Sequence, residues 1–190
     1  VFCQGCPWRC RYCHNADLIS GSRDAQYKWD DVLAFLRRRR GLLDAVVFSG
    51  GEPTAQWALT DVVRQVRQLG YKVGLHSAGC YPDRLAKVLG LVDWVGLDIK
   101  SLPEDYPELT GVPDSGTRAF ESLCYLQESS VAFEVRVTVH ATLLPRPRLE
   151  RLVHMLESAG AQNIILQRCR EERMLDMSLA LDSVSPLSID

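Results

Sequence analysis

The sequence lacks the long apolar run that a membrane span requires, and it lacks an excess of either charge. A spanning helix needs roughly 18 to 20 consecutive apolar residues, and no such run occurs here. The 190 residues carry 22 Lys and Arg against 24 Asp and Glu, a formal net charge of −2. A chain this close to neutral does not hold nucleic acid or an anionic membrane by bulk electrostatics. We therefore expect neither a membrane nor a nucleic acid among its partners.

Internal repeats, low-complexity segments and interdomain linkers are absent as well. With 46% hydrophobic and 24% charged residues, the composition excludes a disordered chain. The length fits a single domain with a hydrophobic core. We expect a core domain over residues 1–170 and a tail over 171–190 that has no clear period. The sequence opens on Val1-Phe2 without an initiator Met and reads like the middle of a buried strand, so we expect that an N-terminal piece precedes it.

Short β-type runs alternate with amphipathic helical patterns along the chain. The first helix ends in four arginines, Arg37 to Arg40. We interpret this run as a solvated helix end, because it suits the helix dipole and no aromatic or basic partners surround it. The apolar periods predict helices over residues 29–40, 59–69, 81–89, 117–126 and 148–159, and strands at Val1 and over 45–48, 71–76, 92–99, 132–139 and 163–166.

This alternation indicates βαβ units with right-handed crossovers and a parallel sheet, which makes the chain an α/β protein. Six strands are too few to close an eight-stranded barrel. Two architectures stay open on periodicity alone: a partial (β/α)6 barrel of the TIM type, or a doubly wound sheet.

Cysteine is the unusual residue of this sequence. There are seven, an odd number, and four of them lie between positions 3 and 13. Cys6, Cys10 and Cys13 follow the spacing C-x3-C-x2-C just after the first strand. Iron–sulfur clusters are held by cysteine thiolates in close loops of this kind. A 4Fe–4S cluster on three cysteines leaves one iron open to a substrate or cofactor.

Cys3 leaves an alternative open, because it extends the motif to four cysteines. Four thiolates can form a closed tetrahedral zinc site, although zinc motifs usually separate two C-x2-C pairs by a longer linker. We favour the iron–sulfur cluster, with Cys3 pointing into the core from its strand. The three later cysteines, Cys80, Cys124 and Cys169, are interpreted as plain core or surface thiols.

A second motif, Ser49-Gly50-Gly51-Glu52-Pro53, follows the second strand. Paired glycines let the backbone approach a ligand closely. Glu52 would bring a carboxylate to the carboxyl edge of the sheet, where parallel α/β folds bind ligands. Alone, such a turn is weak evidence for a site, but beside the cysteine loop it becomes specific.

Three segments together resemble the radical S-adenosylmethionine (SAM) superfamily. They are residues 2–15 with the cysteine motif, residues 48–56 (FSGGEPTAQ) and residues 97–100 (LDIK). The sequence most resembles the activating proteins of anaerobic ribonucleotide reductase and pyruvate formate-lyase, from Val1 to about Arg168. The resemblance implies a partial (β/α)6 barrel and a 4Fe–4S cluster on the three motif cysteines, with SAM chelating the open iron.

The resemblance also implies a reaction and its partners. One electron from the reduced cluster cleaves SAM into methionine and a 5′-deoxyadenosyl radical, which in activating enzymes takes a hydrogen from a glycine of a partner enzyme. The implied partners are a glycyl-radical enzyme, with anaerobic ribonucleotide reductase first, and a flavodoxin or ferredoxin as electron donor. The open iron implies oxygen sensitivity and anaerobic use in the cytoplasm.

The resemblance assigns several residues to the methionine end of SAM. Glu52 is expected to accept a charge-assisted hydrogen bond from the methionyl ammonium, and Gly50 and Gly51 to line the same group. Asp98 and Lys100 are expected near the methionine carboxylate, with Lys100 supplying the opposite charge. No catalytic residue is expected beyond the cluster and SAM.

Other residues are assigned to the nucleoside end. Tyr12 is expected to border the adenine and Arg136 to reach the nucleoside, with Thr138 on the same face by period-2 alternation. After the third strand the family often reads Asp-Thr-Asn-Gly, whereas this chain reads His76-Ser77-Ala78-Gly79. Ser77 is still expected to bond to SAM. His76 is not an anionic oxygen ligand, which removes the basis for the monovalent-cation site of some activators.

Two other functions stay open at this point. One is a radical SAM enzyme that acts on a small molecule or another peptide, because the core motifs do not encode the hydrogen donor. The other belongs to a different class, a zinc-stabilised or electron-transfer module without catalysis.

Overall fold

The computed structural model describes residues 1–21, 26–170 and 172–181 of the chain. Its strands and helices follow one another as β1 (Phe2–Cys3), α1 (Trp29–Arg38), β2 (Ala45–Gly50), α2 (Leu59–Gln68), β3 (Lys72–Ser77), α3 (Pro82–Leu89), β4 (Trp94–Asp98), α4 (Tyr106–Thr110), α5 (Ser115–Glu128), β5 (Ala132–Val139), α6 (Arg146–Ser158) and β6 (Ile164–Arg168). Short 3-10 helices lie at Ala16–Leu18, Pro53–Ala55, Pro103–Asp105 and Met177–Leu181.

The strands form one six-stranded sheet in the order β1-β2-β3-β4-β5-β6, and every neighbouring pair is parallel. A doubly wound sheet reverses its strand order at a switch point, and this sheet does not. Within the described residues β6 does not pair back to β1, so the wall of strands stays open. The prediction of a partial (β/α)6 barrel is confirmed.

The predicted elements are all present, with ends displaced by at most two residues. Sequence periodicity missed α4, because five residues are too few to show a helical period. The expected burial of the first strand is wrong. The side chain of Phe2 is 69% exposed, because β1 is an edge strand that pairs only with β2.

Strand β5 shows how the core and the inner face of the sheet are separated. Val135, Val137 and Val139 are almost completely buried and belong to the main hydrophobic core. Arg136 and Thr138 alternate with them and are only partly buried. Because successive side chains of a strand point to opposite faces, the valines pack into the core while the two polar residues face the other side.

A second, smaller core joins the cysteine loop to the tail. Leu175 N–H donates to the Cys13 carbonyl at 3.0 Å, and Asp176 N–H donates to the Arg11 carbonyl at 2.8 Å. The described part of the predicted tail therefore packs on the cysteine loop. Residues 171 and 182–190 of that tail lie outside the described residues. The residues of this smaller core are Tyr12, Leu109, Cys169, Met174 and Leu179.

Two predictions about the surface can be compared with the structure. None of the helices in the described ranges is both long enough and apolar enough to cross a membrane. The arginine run at the end of α1 is exposed along its whole length, as a solvated helix end should be. The Arg39 guanidinium lies 5.2 Å from the centre of the Phe35 ring on the same helix.

Gly50 is the residue at which the β1–β2 pairing is most sensitive to substitution. Its φ is +112°, and an added Cβ would lie 2.4 Å from the Cys3 carbonyl oxygen. We expect Gly50→Ala to lower the free energy of unfolding by at least ~2 kcal/mol, through strain and steric overlap. Urea denaturation followed by circular dichroism measures this.

Gly90→Ala is the matched control for that experiment. Gly90 has a φ of −66° and no neighbouring atom within 4 Å of an added Cβ. We expect its stability to change by less than about 1 kcal/mol. Equal stability of the two variants would contradict the close approach of β2 to β1.

Candidate functional site

The cysteine loop begins at the carboxyl end of β1 and is held by backbone hydrogen bonds from two sides. Cys6 N–H donates to the Ile19 carbonyl at 3.1 Å, beside the 3-10 helix that follows the loop. Arg9 N–H donates to the Thr110 carbonyl at 2.9 Å, at the end of α4. The loop is thus anchored at the same sheet edge to which β2, β3, β4 and β5 bring their carboxyl ends.

One cavity of about 190 Å³ lies at this edge. All of the site residues predicted from the sequence line it except Glu52, so the structure brings the three motif cysteines together with the residues expected to bind SAM. Its lining consists of Cys6, Trp8, Cys10, Tyr12, Cys13, His14, Asn15, Ser49, Gly50, Gly51, His76, Ser77, Ala78, Asp98, Lys100, Arg136 and Thr138.

The Glu52 carboxylate lies beneath the cavity wall and is fully buried. Its Oε1 accepts hydrogen bonds from Thr54 N–H (2.9 Å), Thr54 Oγ1 (2.6 Å) and Ser77 Oγ (2.8 Å). Its Oε2 accepts from Ala78 N–H (2.9 Å). Charge-assisted hydrogen bonds of this kind are strong. The structure therefore gives Glu52 a positioning role, in which it joins the turn after β2 to the loop after β3.

The paired glycines allow the backbone to approach the cysteine loop closely. Gly51 N–H donates to the Cys3 carbonyl and Glu52 N–H to the Gly5 carbonyl, both at 2.9 Å. A Cβ on Gly51 would lie 2.5 Å from the Gly5 carbonyl oxygen. Because glycine has no side chain, Gly50 and Gly51 allow this close contact between backbone segments. Both glycines also line the cavity.

Two cations surround one carboxylate inside the cavity. Asp98 Oδ1 accepts from Arg136 Nε (2.9 Å) and Nη2 (2.8 Å), and Lys100 Nζ lies 3.6 Å from Asp98 Oδ2. Burial disfavours the charged form of Lys100, but the acidic groups around it, Tyr12 and Asp98 foremost, outweigh burial and raise its pKa. The site therefore holds an excess of positive charge that suits an anionic group such as a carboxylate.

His76 lies against this charged group as a neutral imidazole. Arg136 Nη1 is 3.1 Å from His76 Nε2 and 3.2 Å from Nδ1, and the ring meets Trp94 edge-on at 5.3 Å. Burial, followed by the positive charge of Arg136, lowers the pKa of His76. At this position the Arg136 guanidinium therefore lies against a neutral ring.

The motif cysteines differ in their surroundings. A hydrogen bond from the thiol of Cys80 is the main cause that lowers the pKa of Cys6. Burial raises the pKa of Cys10 to about 12 and also raises that of Cys13. Cys80 is fully buried, and burial raises its pKa well above the usual value. Cys80 is therefore a thiol at neutral pH.

Cys3, the fourth thiol of the alternative zinc site, lies apart from the cavity that the three motif cysteines line. Cys3 lies in β1, where burial raises its pKa to about 11, and it does not line the cavity. Across residues 1–21, 26–170 and 172–181, no three His, Cys, Asp or Glu side chains are placed to hold one metal ion. A tetrahedral zinc site needs its ligands on a single ion, whereas a four-iron cluster distributes its thiolates over different irons.

Two buried donors in the cavity wall have no partner in the described part of the chain, namely Trp8 Nε1 and the Tyr12 hydroxyl. Leaving a buried polar group unpaired costs about 1–3 kcal/mol. Both groups can donate to acceptors on a bound molecule, and cluster sulfides and SAM supply such acceptors. The wall of the cavity therefore fits these cofactors in its thiols, its charges and its unpaired donors.

Besides the burial of Glu52, sequence reasoning missed two features of this site. The first is the buried Trp8, which is 1% exposed. The centres of its ring and the Tyr106 ring are 5.8 Å apart, with an angle of 77° between the ring planes. The available signal was an aromatic residue inside the C-x3-C spacing. The second is the ion pair between Arg11 Nε and Asp176 Oδ2 at 3.0 Å, which joins the tail to the cysteine loop. No local pattern marks a contact between residues so far apart in the sequence.

Comparison with known proteins places the chain in a family. A family profile described as the radical SAM superfamily matches residues 1–159. The chain belongs to the radical SAM superfamily, whose members use a 4Fe–4S cluster and SAM, and it carries three cysteines at the spacing C-x3-C-x2-C.

Individual relatives support this membership. The pyruvate formate-lyase-activating enzyme of Clostridium pasteurianum is 30% identical over 151 residues, which are 76% of this chain and 61% of the relative. The 7-carboxy-7-deazaguanine synthase of Methanopyrus kandleri is 30% identical over 139 residues, 63% of this chain and 55% of the relative. This chain therefore spans little more than half the length of each.

A solved structure shares the fold. The crystal structure of Streptococcus suis SuiB bound to S-adenosylmethionine matches with a TM-score of 0.69 at 16% identity, over 89% of this chain and 39% of that one. At this identity the likeness concerns the fold alone.

Substitution of Glu52 tests its positioning role. We expect Glu52→Gln to lower the free energy of unfolding of the cluster-free protein by about 2–4 kcal/mol, because it removes a buried charge and turns an amide donor toward other donors. Urea denaturation measures this loss. The exposed Glu121→Gln on α5 is the control, with a change within about 0.5 kcal/mol. A Glu52→Gln protein as stable as the control would contradict the role given to the carboxylate.

Proposed function

We propose that this radical SAM enzyme activates a glycyl-radical enzyme, with anaerobic ribonucleotide reductase as the first candidate partner. The observation that carries the proposal is the single cavity in which three motif cysteines face an excess of positive charge at the carboxyl edge of the sheet. A pyruvate formate-lyase-activating enzyme among the relatives supports the choice of reaction.

We assign the cluster to Cys6, Cys10 and Cys13, and SAM to the facing wall of the cavity. Held there, the cluster and SAM would supply reductive one-electron chemistry able to remove a hydrogen atom from a substrate. Lys100 orients the methionine carboxylate by charge, beside Asp98. Thr138 and Arg136 share the inner face of β5, toward the nucleoside, and Tyr12 and Ser77 complete the wall around SAM.

Several residues keep water away from this site. Trp8, Tyr12 and Lys100 close its inner end, with Lys100 Nζ 5.7 Å from the centre of the Tyr12 ring. The tail covers the cysteine loop from outside through the Arg11–Asp176 ion pair. A site that excludes water protects a reactive radical from side reactions.

A second, larger cavity supports a macromolecular substrate. It has a volume of about 610 Å³. It shares His14 and Thr138 with the SAM cavity, which is the cavity of about 190 Å³ that the motif cysteines line. Its other lining residues are exposed, so a segment of another protein can enter it from solvent and reach the SAM cavity. They are Gln167, Arg168, Arg170, Glu172 and Arg173.

A second candidate function is a radical SAM reaction on a small molecule. The 7-carboxy-7-deazaguanine synthase of Methanopyrus kandleri favours it, because it matches this chain at the same 30% identity as the activating enzyme. In either case we propose a flavodoxin or ferredoxin as electron donor and anaerobic use in the cytoplasm. Both candidate reactions require a strongly reducing cluster.

Lys100 tests the assignment of the methionine end of SAM. We expect Lys100→Met to weaken SAM binding by roughly 10- to 100-fold, because a hydrogen bond to a charged group contributes about 1.5–3 kcal/mol. Anaerobic calorimetry on the cluster-loaded protein measures the affinity. Lys87→Met, on the exposed face of α3, is the matched control and should bind SAM like the wild type. An unchanged affinity of Lys100→Met would refute this assignment.

The partner reaction is tested with the reconstituted protein under anaerobic conditions. Incubation with SAM, dithionite and candidate glycyl-radical enzymes should give a glycyl doublet in electron paramagnetic resonance. Cys10→Ala should hold no intact cluster and give no doublet, whereas Cys124→Ala, at an exposed cysteine of α5, should match the wild type. Release of 5′-deoxyadenosine without a doublet on any candidate would favour the small-molecule function instead.

A further inference from the structure

We propose that the open edge of β6 and the arginines beyond its end form a docking site for an acidic, extended segment of the partner enzyme. The inference rests on the proposed function, which supplies a protein partner, and it names the chemistry that this partner presents. It also gives a role to the larger cavity of about 610 Å³ beside the SAM cavity.

Strand β6 lies at an edge of the sheet. In the described part of the chain it pairs only with β5. Its residues from Ile165 to Arg168 are exposed, and Ile165 and Leu166 keep 37% and 40% of their surface open to solvent. Natural edge strands are usually protected by proline, lysine, a bulge or a covering segment. The strand contains neither proline nor lysine, so its edge is open to another strand.

The backbone of β6 presents free hydrogen-bonding groups along this edge. Val135 N–H donates to the Asn163 carbonyl, and Cys169 N–H donates to the Val139 carbonyl. Both ends of β6 are thus bonded toward β5 at odd-numbered residues, and in a parallel strand the residues between alternate in direction. The even-numbered residues, which therefore point their backbone groups away from β5, are Ile164, Leu166 and Arg168. An extended segment can pair with these groups as an added strand.

The larger cavity at the carboxyl end of β6 carries an excess of positive charge. Arg168, Arg170 and Arg173 line it, and Glu172 is the one acidic side chain among its described lining residues. All four side chains are exposed. Among the residues that the structure describes, none of the three guanidiniums forms an ion pair. Guanidiniums without a carboxylate partner favour an acidic ligand, which they can bind through paired hydrogen bonds.

The larger cavity is held against the SAM cavity. The two share His14 and Thr138, and His14 Nε2 donates to the Arg170 carbonyl, which ties the segment after β6 to the cysteine loop. A segment that pairs along β6 therefore passes beside the SAM cavity, with acidic side chains within reach of the arginines. Complementary charge of this kind selects a partner and speeds its association.

The test is peptide binding to the full chain, measured by fluorescence anisotropy without SAM or reductant. The probe is a short labelled peptide in which glutamate alternates with valine, and its counterpart carries lysine in place of glutamate. We expect the glutamate peptide to bind with an affinity that falls as the salt concentration rises. The lysine peptide should bind at least about tenfold more weakly. Equal affinity of the two peptides would overturn the proposal.

A double variant, Arg170→Gln with Arg173→Gln, tests the charge of the cavity. We expect it to bind the glutamate peptide roughly 3- to 10-fold more weakly, because exposed ion pairs are individually weak. Arg37→Gln with Arg38→Gln, at the exposed end of α1, is the matched control. It removes the same net charge and should bind the peptide like the wild type. Equal affinities of the two double variants would contradict the role of the arginines.

Pairing along β6 is tested with two N-methylated forms of the glutamate peptide, which leave the protein unaltered. Each form carries its methyl groups on one of the two alternating sets of residues, and only one set faces β6 in an added strand. We expect one form to bind at least about tenfold more weakly than the parent peptide and the other to bind like it. Equal binding of the two forms would overturn strand addition.

Sedimentation of the chain at the same concentrations tests the other occupant of an open edge. A dimer that the glutamate peptide does not dissociate would overturn the proposal, because it would assign the edge of β6 to a second copy of the chain. Peptide binding needs neither the cluster nor SAM cleavage. Failure of the partner reaction leaves it unaffected, so the proposed function and this inference fail separately.

Discussion

The site depends on the hydrogen bonds that the buried carboxylate of Glu52 accepts. The four hydrogen bonds that the carboxylate accepts join the turn after β2 to the loop after β3. The backbone N–H of Glu52 also donates to the Gly5 carbonyl in the cysteine loop. A buried charge is stable only when its hydrogen bonds are satisfied, so these three segments are held in one arrangement. The cavity wall, the motif cysteines and the position of Cys80 all follow from that arrangement.

The chemistry of the cavity follows from its charges. Arg136 and Lys100 share the single carboxylate of Asp98, and the neighbouring His76 adds no charge of its own. The remaining positive charge faces the cysteine loop, where a cofactor with a carboxylate can be held between the cations and the cluster. Through His14 and Thr138 this cavity adjoins the larger one, whose other lining residues are exposed.

The strands and helices could be predicted from short-range patterns in the sequence, whereas the partial barrel and most of the expected site residues came from the resemblance to the radical SAM superfamily. Period-2 alternation placed Arg136 and Thr138 on one face, and the cysteine spacing located the loop. The burial of Glu52 could not be predicted, since its partner Ser77 lies on another strand. The contact of Asp176 with Arg11 likewise depends on how distant segments pack. Such contacts leave no local period in the sequence.

Under the proposed function, the SAM-derived radical takes its hydrogen atom from a glycine of a partner enzyme. The most direct measurement uses a partner enzyme labelled with deuterium at the glycine α-carbon, followed by mass spectrometry of the 5′-deoxyadenosine released. The proposed function predicts 5′-deoxyadenosine that carries one deuterium and increases with the amount of labelled partner. Unlabelled 5′-deoxyadenosine, released in equal amount with and without the partner, would contradict it.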